Sequence, residues 1–320
     1  MIDLGASDYP LKPERRILLA APRGFCAGVR RAIDAVRDAI RYHGAPVYVR
    51  RPIVHNLDVV RSLEAEGAIF VQELDEVPEG AVVIFSAHGV APEIGHDARL
   101  RRLRSFDAVC PLVSKVHREV ERHQRNGRAV ILIGHAGHPE IEGTLGHAID
   151  GAVFVVNTPE DVAALPLNAA EPAAYAIQTT YSVDDAAAII VALRHRFTDL
   201  AAPSSSNICY ATTNRQAAIH EVAAQADSMI VVGEHFSSNA NRLAEVAGHS
   251  CISVQLVAGP DELDWSKLSE AETIGVSAAA STPEAAVEAV LGSLASRYRL
   301  IIEEVEAIRE TTVFKRLAVA

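Results

Sequence analysis

The stretch RGFCAGVRRAI, Arg23–Ile33, carries a cysteine at the point where a strand-like run passes into a helical pattern. Two more cysteines stand at equivalent points, since a short run leads into each and a helical pattern follows it: Phe106–Cys110 and Asn207–Cys209. The separation between successive cysteines is about the size of a small α/β unit. We therefore predict three such units whose helix starts meet around a common centre.

Strand-like and helix-like segments alternate along nearly the whole chain. Short runs rich in β-branched residues predict strands at Val82–Phe85, Ala129–Ile133, Val153–Val156 and Ile230–Val232. Helical patterns between them predict helices at Ala27–Tyr42, Pro111–Gln124, Thr213–Ala226 and Pro283–Tyr298. This alternation is typical of α/β units with mainly parallel sheets. The tail from Ile301 also has strand character, which ends in Thr311–Phe314.

Composition and charge exclude several classes of protein. The 320 residues are 49% hydrophobic, which is enough for two or three domain cores. The formal charge of −11 repels nucleic acid, and no basic stripe reverses that repulsion. No apolar run reaches the roughly 20 residues of a membrane span, and Met1–Arg16 lacks the pattern of a signal peptide. With four widely spread cysteines, the chain is expected to be a cytoplasmic protein with reduced thiols.

The three cysteines at helix starts are candidates for metal binding. A helix N-terminus lowers the pKa of a thiol, and metals bind the thiolate form. The alternative is an ordinary core position, which we assign to Cys251 in its strand-like run, Cys251–Leu256. Structural zinc usually takes four ligands in paired C-x-x-C spacings, which the chain lacks. Three thiolates from separate loops fit an iron–sulfur cubane with one iron left open to substrate.

Polar segments that follow strand-like runs predict a ligand site, because ligands bind beyond the carboxyl ends of parallel strands. These segments offer three histidines and two hydroxyl-rich helix starts: His55, His88, His138, Ser237–Asn239 and Ser277–Thr282. Such donors can surround phosphate oxygens, and the histidines can become cationic beside an anion. Each feature also has a structural alternative, since these hydroxyl residues can cap helices and strand-end histidines are often structural.

Glu140 is the candidate proton donor. It follows His138 across a proline, in a loop that enters a helix. A carboxyl group there can donate a proton if burial raises its pKa. The alternative is a first-turn glutamate that interacts favourably with the helix dipole.

Eight stretches together closely resemble the 4-hydroxy-3-methylbut-2-enyl diphosphate reductase family, which catalyses the last step of the methylerythritol phosphate route to isoprenoids. They are RGFCAGVRRAI (Arg23–Ile33), IVHN (Ile53–Asn56), SAHGV (Ser86–Val90), DAVCPLVSKVH (Asp107–His117), GHPEIEGTLG (Gly137–Gly146), QTTYSVDD (Gln178–Asp185), ICYATTNRQ (Ile208–Gln216) and SSNANRL (Ser237–Leu243). They run in family order, and the likeness extends from about Arg16 to Arg309. Motifs this long and numerous make the match highly specific.

The resemblance implies an α/β trefoil of three similar small domains, with mainly parallel sheets around a central iron–sulfur site. The domains would be residues 27–109, residues 110–206, and residues 15–26 together with 207–314. A 4Fe–4S cluster would be bound by three cysteines, Cys26, Cys110 and Cys209, and its fourth iron would face the substrate hydroxyl.

By the same resemblance, an allylic diphosphate would be bound by His55, His88, His138, Thr179, Ser237, Ser238, Asn239 and Ser281. The catalytic residues would be Glu140, Thr179 and His138, of which Glu140 delivers protons and Thr179 lies near the hydroxymethyl group. Two electrons from a ferredoxin or flavodoxin and two protons would remove the hydroxyl as water. The products would be isopentenyl and dimethylallyl diphosphate.

Six positions differ from the residues that the family commonly has: Val109, His147, Glu234, His235, Phe236 and Ala279. None of them is a proposed ligand or proton donor. They leave open a divergent paralogue that binds a diphosphate with a metal or cluster but has an altered substrate or no reductase activity. Two further alternatives are a zinc hydrolase built on the cysteines and histidines, and a cluster-bearing sensor that binds the diphosphate without reducing it.

Overall fold

A computed structural model describes residues 12–149 and 153–320, so most of Met1–Arg16 lies outside the described residues. The strands in these ranges are β1 Glu14–Ala21, β2 Val47–Arg50, β3 Ala68–Val71, β4 Val82–Phe85, β5 Arg104–Asp107, β6 Ala129–Ile133, β7 Val153–Val156, β8 Ala173–Ile177, β9 Leu200–Ala201, β10 Ser228–Val232, β11 Ser253–Val257, β12 Thr273–Ala278 and β13 Arg299–Glu306. The α-helices are α1 Ala27–His43, α2 Leu57–Glu66, α3 Pro92–Leu100, α4 Pro111–Arg125, α5 Pro139–Gly146, α6 Pro159–Ala164, α7 Val183–Arg196, α8 Tyr210–Ala223, α9 Ser238–Gly248 and α10 Glu284–Arg297.

The strands form three sheets in which every strand pair is parallel. The first sheet has the order β3-β2-β4-β5, the second β7-β6-β8-β9, and the third β11-β10-β12-β1-β13. The third sheet therefore combines the first strand of the chain with strands from its last third. The predicted α/β class and the parallel sheets are confirmed.

Helices cover both faces of each sheet, as parallel strands require. Each sheet accordingly has two hydrophobic clusters, for example one around Ile84 and one around Phe85 on successive residues of β4. The second and third sheets repeat this arrangement. Within the described ranges, no helix has the length and apolarity that crossing a membrane requires.

The C-terminal tail differs from its prediction. β13 confirms strand character from Ile301, but the strand ends at Glu306 and not in Thr311–Phe314, and the chain then leaves the edge of the third sheet. The tail instead crosses to α1 of the first sheet, where Arg31 Nε donates to the Lys315 carbonyl at 3.1 Å. The limits predicted for the three domains stay a prediction.

The carboxyl ends of the strands determine where the polar segments lie. In the first sheet, β4 ends just before Ser86–Gly89, and in the second, β8 ends just before Thr179. In the third sheet, β12 ends just before Ser281. The three sheets thus direct their strand ends, and the loops that follow them, towards one central cavity.

Candidate active site

Three helices begin at the cysteines that the sequence singled out. Cys26 is the N-cap of α1 and Cys209 the N-cap of α8, with sulfur atoms that accept hydrogen bonds from Val29 N at 3.4 Å and Thr212 N at 3.3 Å. Cys110 precedes α4, which begins at Pro111. Because Cys209 caps α8, this helix starts at Tyr210, three residues before the predicted start.

A backbone hydrogen bond joins each of these cysteines to a polar loop of its own sheet. Cys26 N donates to the Ala280 carbonyl at 3.1 Å, and Cys110 N donates to the Ala87 carbonyl at 2.9 Å. Cys209 N donates to the Thr179 carbonyl at 3.0 Å. Since the pattern recurs in all three sheets, each sheet presents one sulfur beside one set of polar side chains.

All twelve residues predicted for the site line the same cavity, which lies between the three sheets. They are Cys26, His55, His88, Cys110, His138, Glu140, Thr179, Cys209, Ser237, Ser238, Asn239 and Ser281. Cys251 lies elsewhere, 3% exposed in a hydrophobic cluster of the third sheet, so its assignment to the core is confirmed. The structure brings the twelve residues together, while their individual roles stay predictions.

Gly28 leaves room for the cysteine sulfur atoms that line the cavity. A Cβ at this position would lie 2.8 Å from Cys110 Sγ and 3.8 Å from Cys26 Sγ. Cys110 Sγ therefore approaches the backbone of α1 more closely than any side chain at residue 28 would allow, whereas 3.8 Å from Cys26 Sγ is an ordinary contact. A bulky sulfur-bound group needs such space, and the donor set of soft thiols suits iron or another thiophilic metal.

Cys110 and Cys209 do not have the lowered pKa that their positions at helix starts predicted. Burial raises the pKa of Cys110 to about 12 and that of Cys209 to about 11. The free-energy cost of burying a thiolate here exceeds the stabilisation that the nearby backbone N–H groups provide. A bound metal cation supplies the missing positive charge, because a coordinating thiol is deprotonated outright.

A cluster of three histidines lies on the other side of the same cavity. Ring centroids are 4.1 Å apart for His55 and His88, and 5.4 Å apart for His55 and His138. Burial lowers the pKa of His55 to about 4 and that of His138 to about 3, and it places the pKa of His88 well below its ordinary value. The predicted cationic form is therefore absent before an anion binds, because desolvation favours neutral rings.

Several buried polar atoms around the histidines have no hydrogen-bond partner in the described part of the chain. They include His55 Nε2, His138 Nε2 and Asn239 Nδ2. His138 Nδ1 accepts from Glu140 N at 3.1 Å, which places the ring proton on Nε2, while Asn239 Oδ1 accepts from Ala280 N at 2.7 Å. His138 and Asn239 thus each keep a donor for a ligand. Buried donors without partners are costly, so they indicate where an anionic ligand is bound.

Each of the three site serines has a hydrogen-bond partner within the protein. Ser237 is the N-cap of α9 and accepts from Ala240 N at 3.3 Å, so within Ser237–Asn239 the capping residue is Ser237. Ser238 Oγ lies 3.3 Å from Thr180 Oγ1 in the second sheet. Ser281 Oγ donates to the His55 carbonyl at 3.0 Å and joins the third sheet to the first.

Two residues beyond the twelve support the site, Gln178 and Thr180. Gln178 is fully buried, and its Oε1 accepts from His135 N at 3.0 Å while its Nε2 donates to Thr180 Oγ1 at 2.8 Å. Thr180 also lines the cavity. The signal was available, since both residues directly follow β8 at the edge where ligands bind.

Glu140 is 2% exposed, and its carboxyl group accepts hydrogen bonds from Thr179. Its two carboxyl oxygens accept from Thr179 N and Thr179 Oγ1, both at 2.7 Å. Burial raises the pKa of Glu140 to about 7, although these two hydrogen bonds oppose the increase. A carboxyl group with this pKa exchanges its proton near neutral pH, as a general acid must.

The unusual residues beside the site make contacts of their own. Glu234 Oε1 accepts from Leu57 N at 2.9 Å, so it joins the third sheet to the start of α2. Phe236 packs edge-on to His55 with centroids 5.9 Å apart, and His147 stacks on His117 at 4.1 Å. In the described ranges, no three His, Cys, Asp or Glu side chains form a group that could hold a single metal ion.

Comparisons with known proteins agree with this arrangement. The family model described as LytB protein matches residues 17–295. The 4-hydroxy-3-methylbut-2-enyl diphosphate reductases of Beijerinckia indica and Paracoccus denitrificans are each 50% identical over 305 residues, which is 95% of this chain and 96% of theirs. A solved structure of the E-1-hydroxy-2-methyl-but-2-enyl-4-diphosphate reductase from Plasmodium falciparum superposes with a TM-score of 0.88 at 36% identity and covers 96% of both chains. A second solved reductase, described as the terminal enzyme of the non-mevalonate pathway, has a TM-score of 0.63 at 31% identity and covers 88% of this chain and 99% of its own.

Proposed function

The chain belongs to the LytB protein family, and we propose that it reduces 4-hydroxy-3-methylbut-2-enyl diphosphate to isopentenyl and dimethylallyl diphosphate. The observation that carries this proposal is the single cavity in which three sulfurs, unpartnered donors and a buried carboxyl group meet. Each group corresponds to one requirement of the reaction: electrons, diphosphate binding and a proton.

The sulfurs of Cys26, Cys110 and Cys209 would hold a 4Fe–4S cluster in the space beside Gly28. When bound, the cluster supplies the electrons and a Lewis-acidic iron without a protein ligand. The donor set fits this group, because three soft sulfurs come from three separate helix starts and line one cavity.

The diphosphate would be held by the histidines and by the start of α9. His138 Nε2 and Asn239 Nδ2 are buried donors without partners, and an anion that accepts from them removes the cost of burying them unpaired. An anion also raises the pKa of the neighbouring histidines, so the neutral cluster becomes able to gain a proton on binding. Binding energy from the diphosphate, remote from the reacting carbon, then orients the hydroxymethyl end.

Glu140 would act on the leaving hydroxyl, with Thr179 as its partner. The reaction breaks the carbon–oxygen bond and forms a carbon–hydrogen bond, and it consumes two electrons and two protons. One proton leaves with the hydroxyl as water, and the other enters the new carbon–hydrogen bond. With a pKa of about 7, Glu140 holds a proton at neutral pH, and Thr179 Oγ1 at 2.7 Å fixes the carboxyl group in place.

The electrons would come from a ferredoxin or flavodoxin, and we infer a cytoplasmic location because all four cysteines are free thiols. An anaerobic assay tests the function directly. The reconstituted chain is mixed with reduced methyl viologen and the allylic diphosphate, and the products are separated by mass spectrometry. Both product diphosphates should appear only when substrate, reductant and iron-loaded protein are all present. Substrate that remains intact under these conditions would refute the proposal.

A further inference from the structure

A second cavity, open to solvent and distinct from the substrate cavity, concentrates positive charge. Five arginines line it: Arg23, Arg30, Arg31, Arg215 and Arg316. Two carboxylates, Asp34 and Glu310, are also in its lining. Three further carboxylates outside the lining, Asp38, Glu284 and Glu304, form salt bridges with Arg316 and Arg23, so the unpaired charge of this region, here called the arginine surface, is that of Arg30 and Arg31.

Two members of the arginine surface are not neutralised by carboxylates. Arg23, Arg215 and Arg316 form salt bridges, but no carboxylate in the described ranges lies within salt-bridge distance of Arg30 or Arg31. Arg30 is exposed, and its guanidinium lies 5.6 Å from the centre of the Phe25 ring. Arg31 donates only to backbone carbonyls, including that of Val109 at 3.0 Å. The unneutralised charge is therefore fixed in position and available to a partner.

The arginine surface lies next to the substrate cavity that the three cysteines line. Two of the residues that line the surface, Ala27 and Tyr210, directly follow Cys26 and Cys209 in the chain. Ala27 N donates to Tyr210 Oη at 3.2 Å, so the two residues are also joined to each other.

We propose that the arginine surface is the docking site of an acidic one-electron carrier protein, the electron donor of the proposed reaction. The inference rests on the proposed function and assigns a place to its donor. Complementary charge steers such encounters and sets their orientation. Exposed apolar residues beside the arginines, such as Val313 at 87% exposure, provide the contact area that the small interfaces of electron-transfer partners need. Each docked carrier would be oxidised by one electron, so two successive dockings supply the two electrons of one turnover.

A small anion fits the arginine surface less well than a protein does. The substrate cavity contains buried polar atoms without partners, such as His138 Nε2 and Asn239 Nδ2. In the described part of the chain, none of the residues that line the arginine surface has such an atom. Within the described residues, the arginine surface thus leaves no buried polar atom without a hydrogen-bond partner, and it is open to solvent. Both properties suit a broad protein partner that makes many weak charge contacts.

Charge reversal at Arg30 tests the docking site in a binding experiment that does not require turnover. The matched control is Arg297→Glu, because Arg297 is also an exposed arginine over an aromatic ring, 3.8 Å from the centre of Trp265. An oxidised plant-type ferredoxin, and separately a flavodoxin, is titrated into the reconstituted chain by calorimetry. Arg30→Glu should weaken binding of at least one carrier about tenfold, while Arg297→Glu leaves it within about twofold. Binding by the unaltered chain should weaken as salt rises from about 0.1 M to about 1 M.

Turnover assays distinguish failure of the docking site from failure of the proposed function. With the reduced carrier as donor, Arg30→Glu should raise the KM for the carrier about tenfold, and with reduced methyl viologen its rate should match that of Arg297→Glu. Equal carrier binding by Arg30→Glu and Arg297→Glu, or no binding of either carrier by the unaltered chain, would overturn the docking site. So would an equal loss with the carrier and with methyl viologen. If the unaltered chain reduces no substrate with either donor, the proposed function fails, and the binding titrations still decide whether the surface docks a carrier.

Discussion

Glu140→Gln separates the proton-donor role of Glu140 from a purely structural role. Glutamine has nearly the same shape, and its amide oxygen can still accept from Thr179 N, which donates to Glu140 at 2.7 Å. Its amide nitrogen can donate to Thr179 Oγ1 once that hydroxyl rotates. The variant should therefore fold, load iron and bind diphosphate, but it has no acidic proton to give.

The expected loss of rate follows from the removal of a general acid. Such groups typically contribute about 10²- to 10⁴-fold, so kcat should fall by about that factor with little change in the KM for the substrate. Burial raises the pKa of Glu140 to about 7, so the protonated form is lost as pH rises through that value. The rate of the unaltered enzyme should then fall about tenfold per pH unit above about 7, and the residual rate of Glu140→Gln should lack this decline.

The assay is anaerobic oxidation of reduced methyl viologen by the substrate, followed from about pH 6 to about pH 9. The control is Glu142→Gln, which changes an exposed carboxylate in the same first turn of α5. If Glu140 serves only the helix dipole, both variants should lose similar, small amounts of activity. Full activity in Glu140→Gln, or an equal loss in Glu142→Gln, would refute the role of proton donor.

Two more predictions concern the sulfur space and the histidine cluster. Gly28→Ala places a Cβ 2.8 Å from Cys110 Sγ, so iron content after reconstitution should fall by at least half. The control Gly292→Ala, at a helix position with open space, should keep its iron and gain up to about 1 kcal/mol of stability. Equal iron in both variants would contradict the tight fit at Gly28. Burial holds the pKa of His55 at about 4 and that of His138 at about 3. Below about pH 6.5 the folded state therefore binds fewer protons than the unfolded state. The free energy of unfolding of the cluster-free chain should then fall as pH drops from about 6.5 towards 4. Inorganic pyrophosphate should reduce that loss in urea titrations, and an identical pH dependence with and without it would contradict binding at the histidines.

The sequence predicted the starts of α1 and α4 because local chemistry determines them. Pro111 suits the first position of a helix, and Cys26 caps a helix whose pattern begins directly after it, whereas α8 starts three residues before its predicted start. Strands such as Val82–Phe85 and Ala129–Ile133 were predicted with their observed limits, because their apolar runs are flanked by polar or glycine-containing segments. Residues that are close in sequence determine these helix starts and strand limits.

Properties that depend on the assembled fold could not be predicted from neighbouring residues. The pKa of Cys110 rises to about 12 rather than falling, because burial by distant parts of the chain outweighs the helix N-terminus. The strand in the tail ends at Glu306, because the chain then crosses to α1 of the first sheet, which is distant in sequence. The arginine surface combines α1, α8 and the C-terminal tail, so no single stretch of sequence revealed it.

Iron and acid-labile sulfide per chain, measured after anaerobic reconstitution, test whether three distant cysteines hold one cluster. The series compares the unaltered chain with four single variants: Cys26→Ser, Cys110→Ser, Cys209→Ser and Cys251→Ser. The first three should each lose most of their iron and sulfide, while Cys251→Ser, altered at a core cysteine of the third sheet, keeps the unaltered content. Equal metal in all four variants, or full loading after loss of any one of the three cavity cysteines, would contradict a cluster bound at this site.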